Sequence, residues 1–136
     1  MLDGRLRLLV VEDHEETRDL MSELLESYGY EVISVESAER ALEELRSRRY
    51  DVVIADHWLD GGESGTWLLR TAAREALLTR TRAIMCTAER RLEGLPPSVP
   101  LMKKPIDFDA LDHTIRTLVP RNLPLPRVPQ NDDCTD

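Results

Sequence analysis

Residues Asp51–Asp56 read DVVIAD: an unbroken apolar run that ends on a carboxylate. Because the apolar character is continuous rather than alternating, the strand it predicts is covered on both faces, as in a parallel sheet. Working outward from DVVIA (Asp51–Ala55), four more runs have the same character. They are LRLLVV (Leu6–Val11), EVISV (Glu31–Val35), RAIMC (Arg82–Cys86) and VPLMK (Val99–Lys103).

Helical patterns fill the gaps. Leu20, Met21, Leu24, Leu25 and Tyr28 recur at the spacing of one buried stripe, as do Ala38, Ala41, Leu42 and Leu45 behind Ser37, a candidate N-cap. Leu68, Leu69, Ala72, Ala73 and Ala76 make a third stripe. Phe108, Leu111, Ile115 and Leu118 make a fourth, opened by Pro105 and Asp107. This alternation predicts an α/β fold with a doubly wound, five-stranded parallel sheet. Ligands of such sheets sit beyond the carboxyl ends of the strands, so the chemistry is sought in the residues after each run.

The 136 residues suit one domain, and 41% hydrophobic with 32% charged residues suits a soluble globular chain. Eighteen basic against 26 acidic residues leave a net charge of −8. That balance argues against nucleic acid as a direct partner, since phosphate contacts need a basic face. No apolar run approaches the roughly 20 residues that span a bilayer, and the first residues lack the pattern of a secretory signal. A cytoplasmic protein with no membrane partner is expected. Cys86 lies in an apolar run and Cys134 in a polar stretch, with neither disulfide nor metal-ligand spacing. Four of the eight prolines (Pro120, Pro124, Pro126 and Pro129) follow Val119. The expected organisation is one domain over 1–118 and a Pro-rich flexible tail over 119–136.

The run ends carry Glu12 and Asp13, then Asp56, then Thr87, then Lys104 before Pro105. Crowded carboxylates repel one another, and a hard divalent cation relieves the repulsion by taking their oxygens as ligands. A carboxylate beside Mg²⁺ can attack phosphorus, while a lysine and a hydroxyl stabilise charge on the phosphoryl oxygens.

VVED, DVVIAD, an apolar strand ending in threonine, and KKP together resemble the receiver domains of response regulators and hybrid histidine kinases, over about residues 6–118. The resemblance implies the strand order 2-1-3-4-5 of flavodoxin-like sheets. It makes Asp56 the phosphoacceptor, Asp13 a direct Mg²⁺ ligand and Glu12 a ligand through water, with the Trp58 backbone carbonyl completing the protein ligands. Thr87 and Lys104 become the phosphate-binding pair. It implies a histidine kinase or phosphotransfer protein as donor and a downstream protein effector as target. Phosphorylation would be self-catalysed and followed by slow autodephosphorylation, in a signalling switch rather than a metabolic enzyme.

Three departures from that pattern stand out. The loop HWLDGGESG carries Asp60 where the family usually has proline, and Gly65 comes one residue late, an insertion that Gly61 and Gly62 are expected to absorb. Only sixteen residues, 88–103, separate Thr87 from Lys104, and they include Pro96, Pro97 and Pro100. The family's fourth helix does not fit there and is expected as about one turn near Glu89–Gly94, or not at all. Leu101 stands where an aromatic side chain usually swings inward on phosphorylation, which makes it a degenerate switch position. A monomer is therefore expected. Two alternatives stay open: a pseudo-receiver that binds partners without phosphorylation, and a magnesium-dependent aspartyl-phosphate phosphatase. The latter class commonly places a second Asp two residues after the nucleophile, where this chain has Trp58. His14 and His57 adjoin the site and are expected to face solvent.

Overall fold

The computed structural model describes residues 4–119, so the expected tail, apart from Val119, lies outside the described residues. The strands are β1 (Arg7–Val11), β2 (Glu31–Val35), β3 (Val52–Asp56), β4 (Arg82–Thr87) and β5 (Leu101–Lys103), and they form one sheet in the order β2-β1-β3-β4-β5. Every pairing is parallel; Leu8 of β1, for example, stands opposite Val32 on one side and Val52 on the other. The helices are α1 (Glu15–Ser27), α2 (Ala38–Ser47), α3 (Gly65–Arg74) and α4 (Phe108–Leu118), with a single 3₁₀ turn at Leu77–Thr79.

Strand periodicity divides the apolar side chains into two cores. Leu9, Val11, Val53 and Ala55 face α2 and α3, where they meet Leu42, Leu45, Leu68 and Leu69. Leu8, Val10, Val52 and Ile54 face α1 and α4, where they meet Met21, Leu25, Leu111 and Ile115. Side-chain caps fix where three of the helices begin. The Ser37 hydroxyl accepts from the Arg40 N–H, the Ser64 hydroxyl from Trp67, and the Asp107 carboxylate from Asp109 and Ala110. Each helix follows a strand of the parallel sheet and so starts at its carboxyl edge.

The structure departs from the sequence reading at several points besides one-residue shifts in the bounds of β1, β3 and β4. Leu20 is 55% exposed rather than buried, because α1 turns Met21 and Leu25 to the sheet and leaves Leu20 at the margin of its stripe. Ala73 and Ala76 leave the third stripe: Ala73 lies within α3 but on its exposed face, and Ala76 lies past the helix end at Arg74 in a left-handed conformation, φ 62°, that starts the 3₁₀ turn. Strand β5 begins at Leu101 rather than Val99, since Val99 closes a turn onto the Pro96 carbonyl and Pro100 has no N–H for the ladder. Between Thr87 and Leu101, described throughout, there is no helix, so of the two expected forms of the fourth family helix the structure adopts complete loss. Leu92 and Leu95 pack against the α2–α3 core in its stead, and Val99 is buried within it.

Candidate functional site

The carboxyl edge of the sheet gathers residues from four separate strands. Glu12 and Asp13 follow β1, Asp56 ends β3, Thr87 ends β4 and Lys104 follows β5. Carboxylate oxygens of Glu12, Asp13 and Asp56 lie within 4.8 Å of one another. Glu12 is 5% exposed, Asp56 8% and Thr87 fully buried, while Asp13 is half-buried. The Lys104 ammonium donates to Asp56 Oδ2 at 2.8 Å. The Lys104–Pro105 peptide is cis, and the Lys104 N–H bonds the Thr87 carbonyl at 2.9 Å, which joins the last two strand ends.

Backbone donors hold the carboxylates in place. His14 N–H donates to Glu12 Oε2 at 3.2 Å, and Asp60 N–H donates to Asp13 Oδ2 at 3.0 Å. The Arg18 guanidinium reaches the Glu12 carbonyl at 3.0 Å. Gly65 lets α3 close on β3: a β-carbon there would collide with the Asp56 carbonyl oxygen. In the preceding loop Gly61 adopts φ +81°, a conformation that favours glycine.

Burial raises the Glu12 pKa above the usual carboxylate range. The His14 N–H opposes that rise, and the negative charge of Asp56 adds to it. Burial works against the Lys104 ammonium, but the hydrogen bond and charge of Asp56 outweigh it and hold its pKa above the ordinary lysine value. One ammonium facing three clustered carboxylates leaves an excess of negative charge that a hard divalent cation would neutralise. The donor set is all oxygen, as Mg²⁺ prefers.

The structure brings Glu12, Asp13, Asp56 and Lys104 together, and Thr87 sits at the adjoining strand end with its hydroxyl accepting from the Glu89 N–H at 3.2 Å. Trp58, two residues after Asp56, is 64% exposed, its indole N–H donating to Glu89 at 3.1 Å. Leu101 is half-buried and packs on the α2–α3 core. His14 is exposed as expected, whereas His57 is half-buried with Nδ1 2.8 Å from the buried Thr66 hydroxyl. Nine residues separate that pair, and nothing in the local sequence announces it. Also unanticipated is an apolar recess of about 210 Å³ beside Asp56, walled by Leu20, Met21, Cys86, Pro105, Ile106 and Phe108. Burial pushes the Cys86 thiol up to about 12, so it remains a neutral wall of the recess.

A doubly wound parallel sheet with clustered acids and a paired lysine at its carboxyl edge defines an α/β domain whose candidate site lies where ligands of such sheets bind. The sequence profile of the response regulator receiver domain matches residues 8–116, and the chain belongs to that family. It is 36% identical to the virulence sensor protein BvgS of Bordetella pertussis over 92% of this chain and 11% of that protein. It is 32% identical to the phosphate regulon transcriptional regulatory protein PhoB of Klebsiella pneumoniae over 65% of this chain and 40% of that one. The chain thus spans well under half the length of these relatives. Among solved structures it superposes on the response regulator TrrA of Thermotoga maritima in complex with Mg²⁺-BeF, with TM-score 0.75 and 29% identity, covering 83% of this chain and 98% of that one. The receiver domain of the hybrid histidine kinase CckA superposes with TM-score 0.69 and 27% identity, over 83% and 98% of the two chains. Among the described residues no helix is long and apolar enough to cross a membrane.

Proposed function

We propose that this receiver domain takes a phosphoryl group on Asp56 from a phosphohistidine of a histidine kinase or phosphotransfer protein. The observation that carries the reading is the 2.8 Å pair of Lys104 with Asp56 inside a cluster of three carboxylates. An Asp56 carboxylate oxygen bonds to phosphorus as the donor's N–P bond breaks, and the departing imidazole takes a proton from solvent. Lys104 and the Thr87 hydroxyl then bind the phosphoryl oxygens. Glu12, Asp13, Asp56 and the Trp58 carbonyl would hold Mg²⁺, which supplies neutralising charge to those oxygens when bound. That the Thermotoga relative binds Mg²⁺ with a beryllofluoride group supports the same ligand class here.

The recess beside Asp56, with Leu20 exposed at its rim, suits the apolar side of a donor helix. Residues 1–118 form the receiver unit in this reading, located in the cytoplasm, and a downstream protein effector reads its phosphorylation. Phosphorylation by acetyl phosphate tests the core of the proposal. Intact mass should gain one phosphoryl group with Mg²⁺ present, and none in Asp56→Asn or with the metal chelated. Label that persists in Asp56→Asn overturns the assignment. An unlabelled wild-type chain favours the phosphorylation-independent interaction domain instead.

A further inference from the structure

Glu39 lies on the first turn of α2, far in sequence from every residue assigned above, yet its carboxylate reaches the loop between β3 and α3. Its Oε2 accepts the Glu63 N–H at 3.2 Å. Gly62 packs so closely on the same group that a β-carbon there would stand 2.8 Å from Oε1 and 2.9 Å from Oε2. Gly62 is not among the positive-φ glycines, and the atoms it crowds are the far end of a flexible side chain, so a methyl there would move the Glu39 carboxylate rather than strain the backbone. The loop is thus tied at two points. Asp13 holds the Asp60 N–H at 3.0 Å, and three residues on Glu39 holds the Glu63 N–H. Leu59, 7% exposed, anchors the same loop in the α2–α3 core.

We propose that Glu39 is a positioning residue of the cation site, fixing the loop that presents the Trp58 carbonyl and that hydrogen-bonds Asp13. This inference rests on the phosphoacceptor reading above. The one-residue insertion that the family resemblance implies for this loop would supply the physical reason. A longer loop has more conformations to lose, and an acceptor on a rigid helix selects one of them before the ligand arrives. Glu39 makes no contact with the cation ligands themselves, so its effect passes through Glu63 and the loop backbone to Asp60 and Trp58. Partners of ligand-bearing groups commonly matter ten- to a hundredfold in metal affinity, and a partner one step further out should matter less.

The test is Mg²⁺ affinity by calorimetry on the whole chain, with no phosphodonor present, alongside thermal melting without metal. Glu39→Ala should weaken Mg²⁺ about three- to tenfold while Glu39→Gln, which keeps an acceptor oxygen, retains most of the affinity. This contrast separates positioning from simple attraction, because a long-range effect of charge would be lost in Gln as fully as in Ala. Gly62→Ala should reproduce the Glu39→Ala loss, because its methyl displaces the carboxylate. The double variant should then be no weaker than either single one. Should Glu39→Ala fail to fold, Gly62→Ala carries the test, since it changes no residue of α2 or of its Ser37 cap. Wild-type affinity in both variants, additive losses, or a Gln variant as weak as Ala would overturn the proposal while leaving the phosphoacceptor reading standing. A wild-type chain that binds no Mg²⁺ would remove the reading itself, and the positioning role with it.

Discussion

Two irregular connections lie at the same edge of the sheet, and they are built in opposite ways. The segment from His57 to Ser64, after β3, is pinned by polar bonds to groups outside it, and glycines let the backbone turn and approach closely. The segment from Ala88 to Pro100, after β4, replaces a helix. Beyond the Glu89 bonds to Thr87 and Trp58 at its start and the Val99 turn onto Pro96, it is held mainly by apolar side chains, with Leu92 and Leu95 half-buried and Val99 8% exposed. Leu59, by contrast, is the one buried apolar anchor of the first. Hydrogen bonds are directional and fix backbone groups to fractions of an ångström, whereas apolar burial fills volume without dictating orientation. The first connection is therefore suited to presenting ligand atoms. The second keeps the core closed but provides no regular outer surface.

If that contrast holds, damage on the two sides should separate into affinity and stability. The largest effect is expected at Asp13, whose carboxylate serves both the first connection and the cation cluster. Asp13→Asn should reduce Mg²⁺ affinity on the order of ten- to a hundredfold, and Glu12→Gln less, since Glu12 in the role implied by the family resemblance would act through water and partly keep its geometry. Titration followed by tryptophan fluorescence would report both, because Trp58 lies two residues after Asp56 in the loop that hydrogen-bonds Asp13. Equal losses in the two variants would break the division of roles between the two acids.

The second connection predicts the reverse pattern. Val99→Ala removes buried methyl groups and should lower unfolding stability by about 1–2 kcal/mol, measured by urea denaturation. Magnesium affinity of the folded protein should stay within about twofold of wild type, a difference of under about 0.5 kcal/mol. An affinity that falls along with stability would mean that the Ala88–Pro100 segment also shapes the site, and the contrast drawn above would blur.

How much of this was legible in the sequence follows from what each feature depends on. Glu12, Asp13, Asp56, Thr87 and Lys104 could be picked out because each lies at or just past the end of an apolar run, and a parallel sheet brings such ends to one edge. The cap at Ser37 and the helix start at Asp107 were legible because a cap bonds within its own first turn. Leu20 was misread because a residue at the margin of a helical stripe is buried only if a neighbour covers it. The prolines excluded a helix of ordinary length after β4, but which leucines would replace it depends on the core they meet. The links from Glu39 to Glu63, from Trp58 to Glu89 and from His57 to Thr66 join groups 24, 31 and 9 residues apart. Tertiary proximity creates them, and no local spacing encodes it.

The smallest expected effect concerns self-association, and here the second connection makes the prediction. A face built from β5, α4 and the preceding segment could pair two phosphorylated copies only by burying enough area, and stable interfaces bury roughly 1,200–2,000 Å² in total. Strand β5 has three residues, the preceding segment has no helix, and Leu101 packs on the core as an aliphatic side chain without a ring to move. Helix α4 offers His113 and Thr117 to solvent but keeps Leu111 and Ile115 buried. Arg116 is already paired with Asp112 at 3.1 Å. Beryllofluoride with Mg²⁺ should therefore leave the mass from light scattering at that of a monomer, and His113→Glu with Thr117→Glu should change nothing. A dimer that forms with beryllofluoride and is broken by those two substitutions would show that this face works as an output surface without its helix. A dimer indifferent to them would place the contact elsewhere and keep the contrast between the two connections intact.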